Sequence, residues 1–397
     1  VFKRHGLGEA CGLSDATVRA FGAMIDGGYN RVPFHNSTHA ADVAQTAHVL
    51  VSSRRVLPFM SPMNVLSLLV AASIHDYDHP GLNNAYLVNT GDRLALLHND
   101  QSVLERHHAS SAFQAMRAGD GAANVLAGLR PSDATEARRL IVALVLATDM
   151  ANHLANMGAL KAKLRTLEAV TDALDAGNPV LEGSTLSASP TSSSRLVPSR
   201  ASAGGSGGAG GAGGARDGGG GGDGDTVVSV PLEAGGASRV ELSHEDVEVV
   251  LYALMKASDI SHPTKPWRLH RVWSRRITEE FFAQGDRERA AGMPCSPLCD
   301  RTSTNVFKSQ VGFISFVVRP FFEAVVRVVG SKPDPDMERG LLEQMDVNRG
   351  RWQALADAET PQDAFFDDDG LGLGDSEDDE GDDHSAAEEV TTLSVAD

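Results

Sequence analysis

Through most of the first 160 positions apolar residues recur at three- and four-residue steps, the period of helices that bury one face. "SDATVRAFGAMI" (14–25) opens on Ser14, a residue type that caps helix N-termini. "SPMNVLSLLVAASIHD" (61–76) begins with a Ser-Pro pair suited to a first helical turn and then runs apolar as far as His75. "SVLERHHASSAFQAM" (102–116) and "DATEARRLIVALVLATDMANHLANM" (133–157) predict two more helices. No convincing run of alternating strand positions appears, so the pattern predicts an all-α fold.

Between about 175 and 238 the pattern stops. "LSASPTSSSR" and "GGSGGAGGAGGARDGGGGGDGD" are Ser- and Gly-rich and offer almost nothing to bury. Helix resumes at "SHEDVEVVLYALMKASDI" (243–260), with Ser243 as cap and acidic residues in the first turn. The tract either divides two domains or is looped out of one. Closure entropy permits the loop, since each doubling of length costs only about 0.6 kcal/mol.

The chain of 397 residues, 42% hydrophobic, is long enough for one large domain or two ordinary ones. Its net charge of −18 sits almost wholly in one place: 357–397 hold sixteen Asp and Glu and no Lys or Arg, leaving about −2 for the rest. The folded part is thus close to neutral, and nucleic acid is not an expected partner. The tail predicts a self-repelling, disordered segment that either solubilises or meets a basic partner, the first being the simpler reading. Three cysteines (Cys11, Cys295, Cys299) are too few for a disulfide framework and point to a reducing, cytoplasmic setting. "VGFISFVVRPFFEAVVRVVG" (311–330) is broken by Arg319, Pro320, Glu323 and Arg327, which suits a buried helix better than a bilayer span. The chain does not begin with Met, which leaves room for an upstream regulatory region and for this being the soluble domain of a larger protein.

The chemistry gathers in four short segments: "FHNSTH" (His35, His39), "IHDYDH" (His75, Asp76, Asp78, His79), "LERHH" (Glu105, His107, His108) and "KASDISHP" (Asp259, His262). Singly each has a plain reading. His35 and His39 at one helical turn could mark a solvated face, and His107 and His108, being adjacent, cannot both face one site. Asp259 in an apolar helix is more telling, because an unpaired buried carboxylate is costly. Together, imidazoles and carboxylates on several helices are what a divalent cation needs, zinc favouring the histidines and magnesium or manganese the carboxylates and water. His75 and Asp76 at one helix end can serve one ion while Asp76 reaches a second.

Seven stretches, "HNSTHAADV", "IHDYDHPG", "NDQSVLERHH", "ATDM", "SDISHPTKPW", "EEFFAQGDRE" and "KSQVGFI", occur in the order found in the class I cyclic nucleotide phosphodiesterases, and over 14–160 and 240–355 the chain resembles that family. "HDY", "ISHP", "LHRVW" and "SPLCDR" are most similar to its calmodulin-dependent subgroup. The resemblance implies a compact all-helical HD-type catalytic domain made of 1–174 and 239–356, with 175–238 a low-complexity insertion and 357–397 a disordered acidic tail. It implies hydrolysis of cyclic AMP and/or cyclic GMP to the 5′-monophosphate by a hydroxide bridging two metals. His39, His75, Asp76 and Asp259 would hold the tighter ion, typically zinc, and Asp76 would bridge to magnesium or manganese. His79 and Glu105 would order water around the ions, and His35 would protonate the leaving O3′ as general acid. Gln310 would bind the purine between Phe313 and Ile277, with Asn84 and His262 also touching substrate.

Three positions depart from the family's usual residues. Phe34 stands where a Tyr precedes the acid histidine, His98 where an aromatic hydroxyl is common, and Ala257 where a larger residue is usual. No amphipathic basic segment that would bind calmodulin precedes the domain. Two rival readings are another HD-type nucleotide phosphohydrolase, which needs no Gln310–Phe313 pair, and a degenerate nucleotide-binding scaffold, which would lack a ligand. Cyclic AMP and cyclic GMP are expected to be accepted within about tenfold of each other, because His262 cannot copy an Asn amide on an adenine edge.

Overall fold

The computed structural model describes residues 1–178, 180–182, 226–231, 239–330 and 336–366. The first half of the helical body runs α1 (Leu7–Ala10), α2 (Asp15–Gly28), α3 (Ser37–Val51), α4 (Pro62–Ile74), α5 (Asn84–Asn89), α6 (Arg93–His98), α7 (Val103–Arg117), α8 (Pro131–Leu146) and α9 (His153–Asp175). Three short strands follow, β1 (Leu181–Glu182), β2 (Thr226–Pro231) and β3 (Arg239–Ser243). Then come α10 (His244–Asp259), α11 (Trp267–Ala290), α12 (Val306–Phe313), α13 (Arg319–Val329), α14 (Asp336–Asp357) and α15 (Asp363–Phe366). The fold is all-α in class, as the pattern predicts.

The helix starts lie where the cap residues put them. Ser14 Oγ accepts from Thr17 N and Ser61 Oγ from Asn64 N, while Ser243 and Asp246 close a reciprocal capping box at α10. α4 is apolar all round because it is enclosed all round: Val65 through Ala72 and Ile74 are buried, against α3, α8 and α10. α10 in turn crosses α3, α4 and α9. The chain on either side of the Gly-rich tract therefore shares one hydrophobic core, and the ends of α3, α4 and α10 are drawn together.

Two sequence expectations need correcting. The pattern showed no strand, yet β1, β2 and β3 form an antiparallel sheet in that order, with Val228, Val230 and Leu242 buried against the helical core. β2 lies inside the stretch read as insertion. Two core valines separated by one residue were enough to build it once β3 supplied the ladder. Nor does the body end at 356: Phe365 in α15 is fully buried against Trp352 and Phe307. The rest of the expected insertion and tail, 183–225, 232–238 and 367–397, lies outside the described residues. The stretch 311–330 forms α12 and α13 joined by a π-helical segment, Ile314–Val318, with α13 almost wholly buried on its apolar side. Among the described residues no single helix is long and apolar enough to cross a membrane.

Candidate metal centre and substrate cavity

Three helix ends deliver the expected metal ligands. Asn36 caps α3 by accepting from Thr38 N and His39 N, which puts His39 in the first turn and His35 just before the helix. The two histidines are therefore not on one solvated helix face. α4 stops at Ile74, so His75 and Asp76 follow directly, and Asp78 takes a left-handed φ of 62° to turn the chain. The hydroxyl end of the Tyr77 ring sits against α2 at Gly28, where any Cβ would overlap it, and this seats the turn. Asp259 is the last residue of α10.

Ligand atoms of His39, His75, Asp76 and Asp259 all lie within 4.8 Å of one another. His39 Nε2 and His75 Nε2 are 3.3 Å apart, and Asp259 Oδ1 is 3.4 Å from each. Asp76 Oδ2 is 3.0 Å from His75 Nε2 and 3.5 Å from His39 Nε2, buried and without a hydrogen-bond partner. His75 Nδ1 donates to Ala72 O at 2.9 Å, which turns the Nε2 lone pair toward the cluster. Such crowding has two solutions, a proton or a cation. Burial lowers the basicity of His75, yet Asp76 and Asp259 outweigh it and raise its pKa to about 10. Both carboxyls sit below their ordinary range despite burial, held there chiefly by His75 for Asp76 and by His39 and His75 for Asp259. Two imidazole nitrogens and two carboxylate oxygens aimed at one point fit a zinc-like ion, and the orphaned Asp76 Oδ2 fits it best.

Lys256, one turn earlier on α10, is fully buried, with Nζ 2.5 Å from Thr148 O and 3.7 Å from Asp259 Oδ2. Asp259 thus gives one oxygen to the ligand cluster and turns the other to an ammonium. The sequence reading passed over this lysine.

Beside the centre, His79 accepts from Gly81 N at Nδ1 and its ring lies between those of His35 and His108, at 4.0 and 5.3 Å. His108, set aside in the sequence because His107 adjoins it, belongs to this wall: Nδ1 donates to Tyr77 O and Nε2 is 3.8 Å from Asp76 Oδ1. His107 instead meets Asp78. Asp76, His79 and His108 offer a second trio of ligand atoms. Glu105 accepts from Asn84 Nδ2 at 3.0 Å, and burial, reinforced by Asp149, raises its pKa to about 7. Asn84 Oδ1 accepts from Leu104 N, so both polar ends of that side chain are engaged within the protein.

His35 has a partner that the motifs did not reveal. Glu280 of α11 places Oε1 2.5 Å from His35 Nδ1, and its Oε2 accepts from Phe34 N and His35 N. Burial opposes protonation of His35, but Glu280, with Asp76 next, raises its pKa to about 9. These groups open on a cavity of about 640 Å³ that Ile277, Gln310, Phe313, Asn84 and His262 also line. Gln310 Oε1 is 3.1 Å from Ser274 Oγ, and the Phe313 ring lies parallel to that of His262 at 5.7 Å. Phe34 packs between His39 and Trp273. His98 stands apart from this wall, its Nε2 buried without a partner.

The fold and site define a helical protein with a histidine–aspartate cluster able to hold a metal ion beside a cavity of about 640 Å³. The profile of the 3′5′-cyclic nucleotide phosphodiesterase family matches residues 34–337, and the chain belongs to that family. It is 32% identical over 334 residues to the dual specificity calcium/calmodulin-dependent 3′,5′-cyclic nucleotide phosphodiesterase 1B of Cricetulus griseus, covering 84% of this chain and 48% of that protein. To the 3′,5′-cyclic-AMP phosphodiesterase 4C of Rattus norvegicus it is 31% identical, covering 85% of this chain and 50% of the other. The chain spans about half the length of these curated relatives. Among solved structures it is similar to the phosphodiesterase domain of Salpingoeca rosetta rhodopsin phosphodiesterase, with 25% identity, a TM-score of 0.65, and coverage of 90% of this chain and 86% of that one.

Proposed function

We propose that the chain hydrolyses 3′,5′-cyclic AMP and cyclic GMP to their 5′-monophosphates, with the helices on both sides of the Gly-rich tract, together with β2 and α15, acting as one catalytic unit. The observation that carries this is the convergence of His39, His75, Asp76 and Asp259 on one point, with Asp76 and Asp259 lining the same cavity as His35, which pairs with Glu280. The four ligands would hold zinc, and Asp76, with water, a magnesium or manganese ion. Bound there, the two ions would activate water for attack on phosphorus and offset charge on the phosphoryl oxygens. His35, charged through its contact with Glu280, gives its proton to the departing O3′. Glu105 and His79 hold polar groups at the wall where water must be ordered.

Ile277 and Phe313 supply the apolar faces for a purine, and Gln310 its polar edge. Ser274 is a hydroxyl, able to donate to the Gln310 oxygen or accept from its nitrogen, so it does not fix the amide. That supports acceptance of both purines, as in the relative named dual specificity. Nothing in the chain supports carrying over calmodulin control. Three free cysteines favour a cytoplasmic setting.

Purified protein with zinc and magnesium should convert both cyclic nucleotides to 5′-monophosphates, with catalytic efficiencies within about tenfold. Hydrolysis of noncyclic nucleotides alone would point to another phosphohydrolase. Nucleotide binding without turnover would point to a scaffold.

A further inference from the structure

We propose that Gln284 is a positioning residue of this site: paired with Glu288, it ties the cavity loop 293–304 to Asn84 and Glu105, so that one buried amide sets the place of both. The catalytic part rests on the cyclic nucleotide reading above.

Glu280, Gln284 and Glu288 stand at four-residue steps on one face of α11, and each accepts from the backbone N–H of a different segment at the cavity. All three are buried. Glu280 holds Phe34 and His35, as described above. Gln284 Oε1 accepts from Asn83 N at 2.8 Å, and Glu288 Oε2 accepts from Ser296 N at 2.6 Å. The last two side chains are joined. Gln284 Nε2 donates to Glu288 Oε1 at 2.9 Å, where Ser296 Oγ donates as well, at 2.5 Å. The polarity of the pair is fixed from both ends. Asn83 N–H can only donate, so it takes the amide oxygen of Gln284, and the NH₂ that remains needs an acceptor, which the Glu288 carboxylate supplies. Three donated hydrogen bonds in turn favour the ionised form of that carboxylate.

Both held segments shape the cavity. Ser296 O accepts from Cys299 N and closes the turn that carries Leu298, which lines the cavity at a left-handed φ of 69°. At the other end Asn83 caps α5, its Oδ1 accepting from Tyr86 N, so the hold on its backbone N–H fixes where that helix starts. Asn84 follows directly and engages Glu105 and Leu104 N. A displaced Asn83 therefore displaces Asn84 and, through it, Glu105. Gln284 acts on Glu105 by this route, and Glu288 decides which end of the Gln284 amide faces Asn83.

Hydrogen exchange of the full chain, read at single amides after electron-transfer fragmentation, tests the pair without substrate. In Q284M the Asn83 amide should exchange about two- to tenfold faster, the range of one net hydrogen bond, while the Ser296 amide keeps its rate. In E288Q one oxygen cannot serve Ser296 N and Gln284 Nε2 from two places, so one of the two loop amides should exchange faster. Q284E/E288Q reverses the pair. The carboxylate then accepts from Asn83 N and from the amide at position 288, whose oxygen accepts from Ser296 N while its NH₂ also meets Ser296 Oγ. Both loop amides should return to within about twofold of their native rates. Unchanged exchange in both single variants, or a double variant that is unfolded or no better protected than E288Q, overturns the coupling. On cyclic nucleotides Q284M should lose about two- to tenfold in kcat with KM little changed, and the double variant should recover it. A rise in KM alone would make Gln284 a substrate contact and overturn the positioning role. The expected exchange in a protein that hydrolyses neither nucleotide would refute the functional reading and leave the coupling standing.

Discussion

Glu280→Gln tests what would keep His35 charged in its proposed role as general acid. In the native site one carboxylate oxygen faces His35 Nδ1 at 2.5 Å, and the other accepts from the backbone N–H of Phe34 at 2.9 Å and of His35 at 3.2 Å. A carboxamide has one oxygen for these two tasks. Two backbone donors hold it, which turns the NH₂ toward His35 Nδ1, and that N–H needs a lone pair there. The variant thus favours a neutral His35. Burial opposes the native charge, and Glu280, then Asp76 and Asp259, restore it, for a pKa of about 9. With cations offsetting Asp76 and Asp259, Glu280 is the anion that remains. A hydrogen bond to a charged group is worth about 1.5–3 kcal/mol net. At 1.36 kcal/mol per unit this is about one to two pH units. In the proposed acid role, His35 must be protonated for activity, which is then full below its pKa and lost as pH rises through it. The descending limb of kcat/KM should therefore move about one to two units toward acid in E280Q. Near pH 8.5 the variant should lose about three- to twenty-fivefold, and near pH 6 much less. Profiles from pH 6 to 10, with the melting temperature as a folding control, make the measurement. An unmoved descending limb in a folded, metal-loaded variant would refute the reasoning.

Asp259→Ala should lose bound metal, counted by mass spectrometry, and turnover with it, while circular dichroism stays helical because the residue ends α10. His35→Ala should keep its metal and lose about 10²–10⁴-fold in rate, with partial recovery on a substrate whose leaving group needs no proton. Equal losses on both substrates would give His35 another role. Val230→Ala, at a fully buried position of β2, should cost about 2 kcal/mol in denaturant unfolding, so a deletion of 175–238 that removes β2 is not neutral.

The helices that the sequence announced are those whose signals are local. Ser14, Ser61 and Ser243 each act within three residues of themselves, and the apolar period fills the rest of the turn. β2 was missed because its signal is three valines within six residues at the end of a Gly-rich run, and its ladder is completed only by Arg239–Ser243. Phe365 was assigned to the tail on charge, since the acidic residues around it hide an aromatic that needs Trp352 and Phe307 to be buried.

The site divides the same way. His39, His75, Asp76 and Asp259 sit in recognisable phrases, whereas Glu280 acquires its meaning from His35, 245 residues earlier, and Gln284 from Asn83, 201 residues earlier. No window of sequence contains either pair. Lys256 is different, because it stands three residues before Asp259 on one helix, and that spacing alone makes the two side chains neighbours. Had Asp259 been read as a buried carboxylate first, an ammonium at i−3 would have followed from geometry. Burial lowers the pKa of Lys256 and Asp259 foremost pulls it back up, so the ammonium and the Asp259 carboxylate stabilise one another inside the protein. The acidity of this wall is thus partly balanced by the chain itself, and the charge left for metal ions to neutralise is concentrated at Asp76, whose inner oxygen has no hydrogen-bond partner.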